Sequence, residues 1–163
     1  MYCRLPEPID DCVRIMAKPD FPSLLHPGIH SITLKELHIL AVAPFPEDVR
    51  RADLYGKLIT WLGALQALGV GGTLWLDGSF LTAKPSPGDI DCVLWNPHWA
   101  NEGANITAAM QQQVEHLLDK SAAEQLFDLD LYVELPTSDM LFHREVYWRG
   151  LLGFGHDRVT AKG

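Results

Sequence analysis

The period of the apolar positions changes several times along the chain, and each change marks an element. From Leu126 to Leu135 the alternation is strict: Leu129, Leu131, Val133 and Leu135 share one face, and Asp128, Asp130, Tyr132 and Glu134 share the other. A period of two belongs to a half-buried strand. Shorter apolar runs at Thr73–Leu76 and Ile90–Trp95 predict two more strands. Before them the period is helical. Ala52, Tyr55, Ile59, Leu62, Leu65 and Leu68 recur at three- and four-residue intervals. That spacing predicts a helix starting near Glu47, with an acidic first turn, and stopping at Gly69. Thr33-Leu-Lys-Glu36 has capping-box spacing and predicts a short helix through about Leu40, ended by Pro44 and Pro46. Met110, Val114, Leu117 and Leu118 lie on one face of a helix capped by Asn105 or Thr107 and running to about Lys120. A last helix covers about Ser138 to Leu152. The order helix, helix, strand, loop, strand, helix, strand, helix predicts an α/β (α+β) domain with a small sheet.

Pro6, Pro8, Pro19, Pro22, Pro27 and Gly28 interrupt the start of the chain. They predict an extended, Pro-rich N-terminal arm over residues 1–30, anchored by Leu5, Ile9, Val13, Ile15 and Phe21, on a domain of residues 31–163. At 163 residues the chain suits one domain with a sizeable core. The net charge of -8 excludes a general nucleic-acid coat or a long nucleic-acid track, though not an enzyme that touches one RNA end. Cys3, Cys12 and Cys92 are odd in number and have no Cys-x-x-Cys spacing, which fits a reduced, cytoplasmic protein. No apolar run approaches the roughly twenty residues of a membrane span, and the N-terminus lacks signal-peptide architecture.

The candidate chemistry lies between the first two strands. Asp89 and Asp91 are one residue apart at the start of the second, so both carboxylates point to one face. Facing carboxylates repel unless a proton or a metal intervenes. The first strand ends in Gly78-Ser79, where a glycine lets the backbone approach a phosphate and Ser79 offers a hydroxyl and an N–H. A third carboxylate comes from one of the Asp128/Asp130 pair. Such a set suits two hard cations and phosphoryl or nucleotidyl transfer. Lys84, in the intervening loop, is a candidate phosphate ligand. His26 and His30 are separated by Pro27-Gly28, which precludes the helix that would align them on zinc. Trp61, Trp75, Trp95 and Trp148 read as core, Trp99 as a loop residue, and Asp77 as a turn partner for Gly78. Arg144 and Arg149 read as solvated.

These residues resemble a known superfamily. Strand, Gly78-Ser79, nine residues, Asp89-Ile-Asp91 and a later Leu-Asp130-Leu look like the signature of nucleotidyltransferases of the DNA polymerase β type, above all the minimal ones. Trp75-Leu-Asp-Gly-Ser-Phe-x-Thr-x-Lys-Pro85 and the closing Tyr-Trp, Phe-Gly, Asp-Arg and Lys-Gly pairs are also similar to a small uncharacterised group from bacteria and mobile elements. The resemblance implies a nucleotidyltransferase fold, a small mixed sheet flanked by helices. It implies that Asp89 and Asp91 bind two Mg2+ or Mn2+ ions, and that Asp130 binds the catalytic one and orients the attacking hydroxyl. Gly78 and Ser79 would hold the NTP phosphates, ATP among them, with Lys84 nearby. The implied activity moves an NMP from an NTP to a protein or RNA acceptor, in a toxin–antitoxin or defence setting, with a partner protein or a homodimer completing acceptor recognition. The alternative is an inactive nucleotidyltransferase fold that binds a nucleotide or a partner. Transfer to a small cationic acceptor is a third.

Overall fold

The computed structural model describes residues 21–101, 105–154 and 161, and among them five α-helices flank a three-stranded mixed sheet. Residues 1–20 of the expected arm, with Leu5, Ile9, Val13 and Ile15, lie outside the described residues. The segment before α1 is held to the loop after β1: the Pro22 carbonyl accepts from the Ala83 N–H at 2.8 Å, Ser23 forms an antiparallel bridge to Thr82, and the Leu24 N–H donates to the Leu81 carbonyl at 2.9 Å. Helix α1 (Leu34–Ala41) has the expected capping box: Thr33 Oγ1 accepts from the Glu36 N–H, and the Glu36 carboxylate accepts from the Thr33 N–H. Helix α2 (Val49–Ala67) starts two residues later than expected, because Asp48 is its N-cap. No acidic residue lies in its first turn.

Strand β1 (Val70–Asp77) leads through a 3-10 turn (Ser79–Leu81) and a loop to β2 (Ile90–Trp99). Trp99, expected in a loop, is the last residue of β2 and pairs with Val70. The helix expected to run to about Lys120 is α3 (Ala108–Leu118, capped by Thr107), and an unexpected helix, α4 (Lys120–Phe127), follows it. Asp119 makes the break. Its backbone is extended, which stops α3, and its carboxylate accepts the Ala122 N–H at 2.8 Å, which starts α4. Strand β3 (Leu129–Glu134) is shorter than the alternation suggests, since Leu126 and Phe127 finish α4. Helix α5 (Leu141–Leu152) follows.

The sheet order is β1-β2-β3, with β1 antiparallel and β3 parallel to β2. Parallel neighbours need a crossover, and α3 with α4 supplies it. One sheet face (Leu74, Leu76, Ile90, Cys92, Leu94, Leu129, Leu131) packs on α1, α2 and α4 through Leu37, Leu54, Leu58, Trp61 and Ala123. The buried stripe of α2 is Arg51, Leu54, Leu58, Trp61 and Leu65, rotated from the expected one; Ala52 is exposed. The sequence permits both stripes, and a buried arginine in the true one hides it from an apolar count. On the other face Val93 and Trp95 meet Trp148 of α5, with Trp75, Leu151 and Leu152 beside them. The four tryptophans read as core are buried or half-buried. No helix among the described residues is long and apolar enough to cross a membrane.

Candidate active site at the end of the sheet

Strand register brings the acidic residues together. Asp77 of β1 pairs with Asp91 of β2, and Asp91 with Asp130 of β3. Directly opposed residues share a face, so three carboxylates form one row across the sheet, with neighbouring strands about 4.8 Å apart. Behind this row on the same face come Trp75, Val93 and Tyr132, then Thr73, Trp95 and Glu134. The row thus stands at one end of the face that α5 covers further back, with Asp77 buried and Asp91 and Asp130 half-buried. Asp89 lies just before β2, exposed, two residues from Asp91.

Asp77 was the least expected member. Its place was legible in principle, since Trp75 and Asp77 alternate onto one face and the two strands join as a hairpin. Asp128 is excluded from the row. Its backbone is left-handed (φ 53°) where it ends α4, and its carboxylate is held by Arg50 at 2.8 Å and Lys57 at 2.6 Å. Those hydrogen bonds, Arg50 first and Lys57 second, lower its pKa and keep it ionised. Asp130 has a different partner. Lys120, the first residue of α4, places its ammonium 2.5 Å from Asp130 Oδ1 and 3.6 Å from the centre of the Tyr132 ring. Partial burial pulls the Lys120 pKa down, but hydrogen bonds to Asp130 and Tyr132 outweigh this and leave it raised.

Gly78 is required by what lies beside it. Its φ of 85° and ψ of -166° belong to a region that side-chain-bearing residues avoid. A Cβ built there would lie 1.7 Å from Asp91 Oδ2. The strand therefore turns directly over the middle carboxylate of the row. Ser79 opens the 3-10 turn, and its carbonyl accepts from the Thr82 hydroxyl at 2.9 Å.

The loop from Ser79 to Asp89 is held from outside, by the first turn of α2. Arg51 is fully buried and donates to four carbonyls: Ala41 (3.0 Å), Phe80 (2.7 Å), Thr82 (2.5 Å) and Lys84 (2.8 Å). Burial lowers its pKa, Asp48 acts against this, and the Phe45 ring lies 4.1 Å from its guanidinium carbon. Asp48 also accepts the Ser86 N–H at 2.7 Å. Arg50 reaches the far end, donating to the Gly88 carbonyl next to Asp89. Sequence reading missed these residues, and only the unbroken Arg50-Arg51 pair in an otherwise amphipathic stretch hinted at them. Lys84 enters the site through its backbone; nothing among the described residues ties its ammonium to the acid row. Arg144, read as solvated, is engaged with Glu134 at 2.9 Å, and Trp148 Nε1 donates to the same carboxylate at 2.7 Å.

The family model for a family of unknown function (DUF6932) matches residues 19–163. The chain belongs to that family. No curated protein and no solved structure matches it. For this DUF6932 member, function is therefore argued from the site. A cavity of about 700 Å³ runs along the outer edge of β1 and reaches Asp77. Leu37, Leu62, Leu74, Leu76, Trp148 and Leu152 are among the residues that line it. Cys92, buried next to Asp91, has its thiol pKa pushed far up by burial, which removes it as a nucleophile.

The carboxylate row fits hard divalent cations by donor type, by register and by the side-chain-free space that Gly78 leaves beside Asp91. It is not closed as a ligand cage: among the described residues no three His, Cys, Asp or Glu side chains converge on one point. Asp130 faces an ammonium instead.

Proposed function

We propose that this chain is a metal-dependent nucleotidyltransferase that moves a nucleoside monophosphate from an NTP to a hydroxyl of a protein or RNA acceptor. The observation that carries this reading is the register of Asp91 with Asp130 on the parallel neighbour, with Gly78-Ser79 turning over Asp91. Asp89, Asp91 and Asp130 would hold Mg2+ or Mn2+, which when bound would neutralise the triphosphate and acidify the attacking hydroxyl. Gly78 and the N–H groups and hydroxyl at Ser79 would seat the β- and γ-phosphates. The acceptor oxygen forms a bond to the α-phosphorus as the bond to the β-phosphate bridge breaks, and pyrophosphate leaves. Asp130, at the β3 end of the row, would orient that hydroxyl and take its proton. The apolar cavity beside Asp77 offers a seat for an uncharged part of either substrate.

A binding module on the same fold is the second reading, and one observation favours it: Lys120 already neutralises Asp130. Turnover separates the two. With each of the four α-³²P NTPs and Mg2+ or Mn2+, wild type should transfer label into an RNA or protein fraction of a cell lysate, and Asp89→Ala/Asp91→Ala should not. Absence of label with wild type under both metals refutes the enzyme and leaves the binding module.

A further inference from the structure

Lys120 has no part in the proposed transfer reaction, yet its ammonium lies against the acid row at Asp130. Its ammonium is held on two sides, by Asp130 Oδ1 at 2.5 Å and by the face of Tyr132, which lies on the same side of β3. A divalent cation on that carboxylate would sit about 2.0–2.6 Å from the oxygen. Two cations sharing one oxygen at these distances would be forced within a few ångströms of each other, where repulsion is strong. Both cannot stay.

We propose that Lys120 is the resident counter-ion of the acid row. It holds Asp130 oriented while no divalent cation is bound, and a cation takes Asp130 Oδ1 only by displacing it. The proposal rests on the nucleotidyltransferase reading and adds to it a switch in the site itself. Two features make the exchange feasible. Lys120 and Asp130 side chains are 49% and 31% exposed, so water screens the pair and it is weak enough to break. Asp128, by contrast, is pinned by two cations from α2, Arg50 and Lys57, and cannot be released by losing one. Lys120 is also the first residue of α4, whose start is secured by Asp119 rather than by the lysine, so its ammonium can leave without unwinding the helix. Asp91, opposite Asp130 on β2, is a further carboxylate beside the pair.

The test compares wild type, Lys120→Met and Lys120→Gln for Mn2+ binding, by calorimetry and by the EPR signal of free Mn2+, and for melting in EDTA and in Mn2+. Removing the competitor should tighten Mn2+ binding about two- to fivefold, the range expected for a half-exposed pair. Both variants should melt lower than wild type in EDTA and gain more on adding Mn2+. In an Asp130→Asn background, Lys120→Met should no longer change Mn2+ affinity. Equal or weaker Mn2+ binding by both folded variants overturns the counter-ion role while leaving the metal site standing. Failure of wild type and both variants alike to bind millimolar Mn2+ overturns the metal-dependent reading, and this proposal with it.

Discussion

Replacing Gly78 by alanine tests the geometry on which the site depends. Two costs are separable. The backbone cost comes from φ 85° and ψ -166°, a region open essentially to glycine alone, at about 1–3 kcal/mol for a side-chain-bearing residue. The contact cost comes from Asp91, whose Oδ2 lies 1.7 Å and whose Cγ lies 2.7 Å from the added Cβ. The carboxylate must rotate away, at about 0.5–1.5 kcal/mol for an off-rotamer side chain. Together they give about 1.5–4.5 kcal/mol, a fall in melting temperature of about 3–18 °C for a chain of this size. Gly56→Ala is the control. It sits on the exposed face of α2 with nothing within 4 Å of its Cβ, and should stabilise by about 0.5–1 kcal/mol. Urea denaturation of wild type, Gly78→Ala, Asp91→Ala and the double variant then divides the two costs. With Asp91 truncated, only its Cβ remains near, at 3.2 Å, so the contact cost should largely vanish and the backbone cost persist. If Gly78→Ala melts at or above wild type, the turn is not as described. If its cost is undiminished in the Asp91→Ala background, Asp91 does not lie under Gly78.

Arg51→Met should destabilise by about 3–5 kcal/mol, because it leaves buried carbonyls of the loop without their donor. Amide exchange should then accelerate across residues 79–84; wild-type protection there would refute the claim that Arg51 holds the loop. Arg144, helped by Trp148, lowers the pKa of buried Glu134, so this carboxylate contributes stability above its unfolded pKa of about 4.3 and loses it as pH falls through the lower folded value. Melting curves between pH 6 and pH 3 should therefore fall less steeply with acid for Glu134→Gln than for wild type; parallel profiles would count against the pairing.

The fold and the site were legible to different degrees, for physical reasons. Strict alternation at Leu129–Glu134 and the short run at Ile90 fixed which side chains share a sheet face, and that is enough to align Asp91 with Asp130 once the strands pair. Helix ends were less legible where one residue does two jobs. Asp119 stops α3 and starts α4, while Asp128, polar and in phase with Asp130, reads as a strand residue although its left-handed backbone ends a helix. The α2 stripe was displaced because one of its inward positions is an arginine, and an apolar count rejects it.

What remained hidden was the support of the loop. Arg51 binds backbone carbonyls of residues 80, 82 and 84, and a carbonyl is the same in every residue, so its partners leave no mark in the sequence. Gly78 left a mark because its neighbour demanded the absence of a side chain. The two halves of the site were therefore unequal from the outset. The acid row is written in residue types at fixed spacing. The frame that holds Gly78-Ser79 against it comes from Asp48, Arg50 and Arg51, some thirty residues upstream, and becomes evident only when α2 is packed on the sheet. On the proposed nucleotidyltransferase function, a substitution in that frame should disturb phosphate seating while leaving the carboxylates in register, so Arg51 and Asp91 should fail in different ways: Arg51→Lys through weaker NTP binding, Asp91→Asn through lost turnover. Comparable loss of NTP affinity in both would show that loop and row are not separable parts.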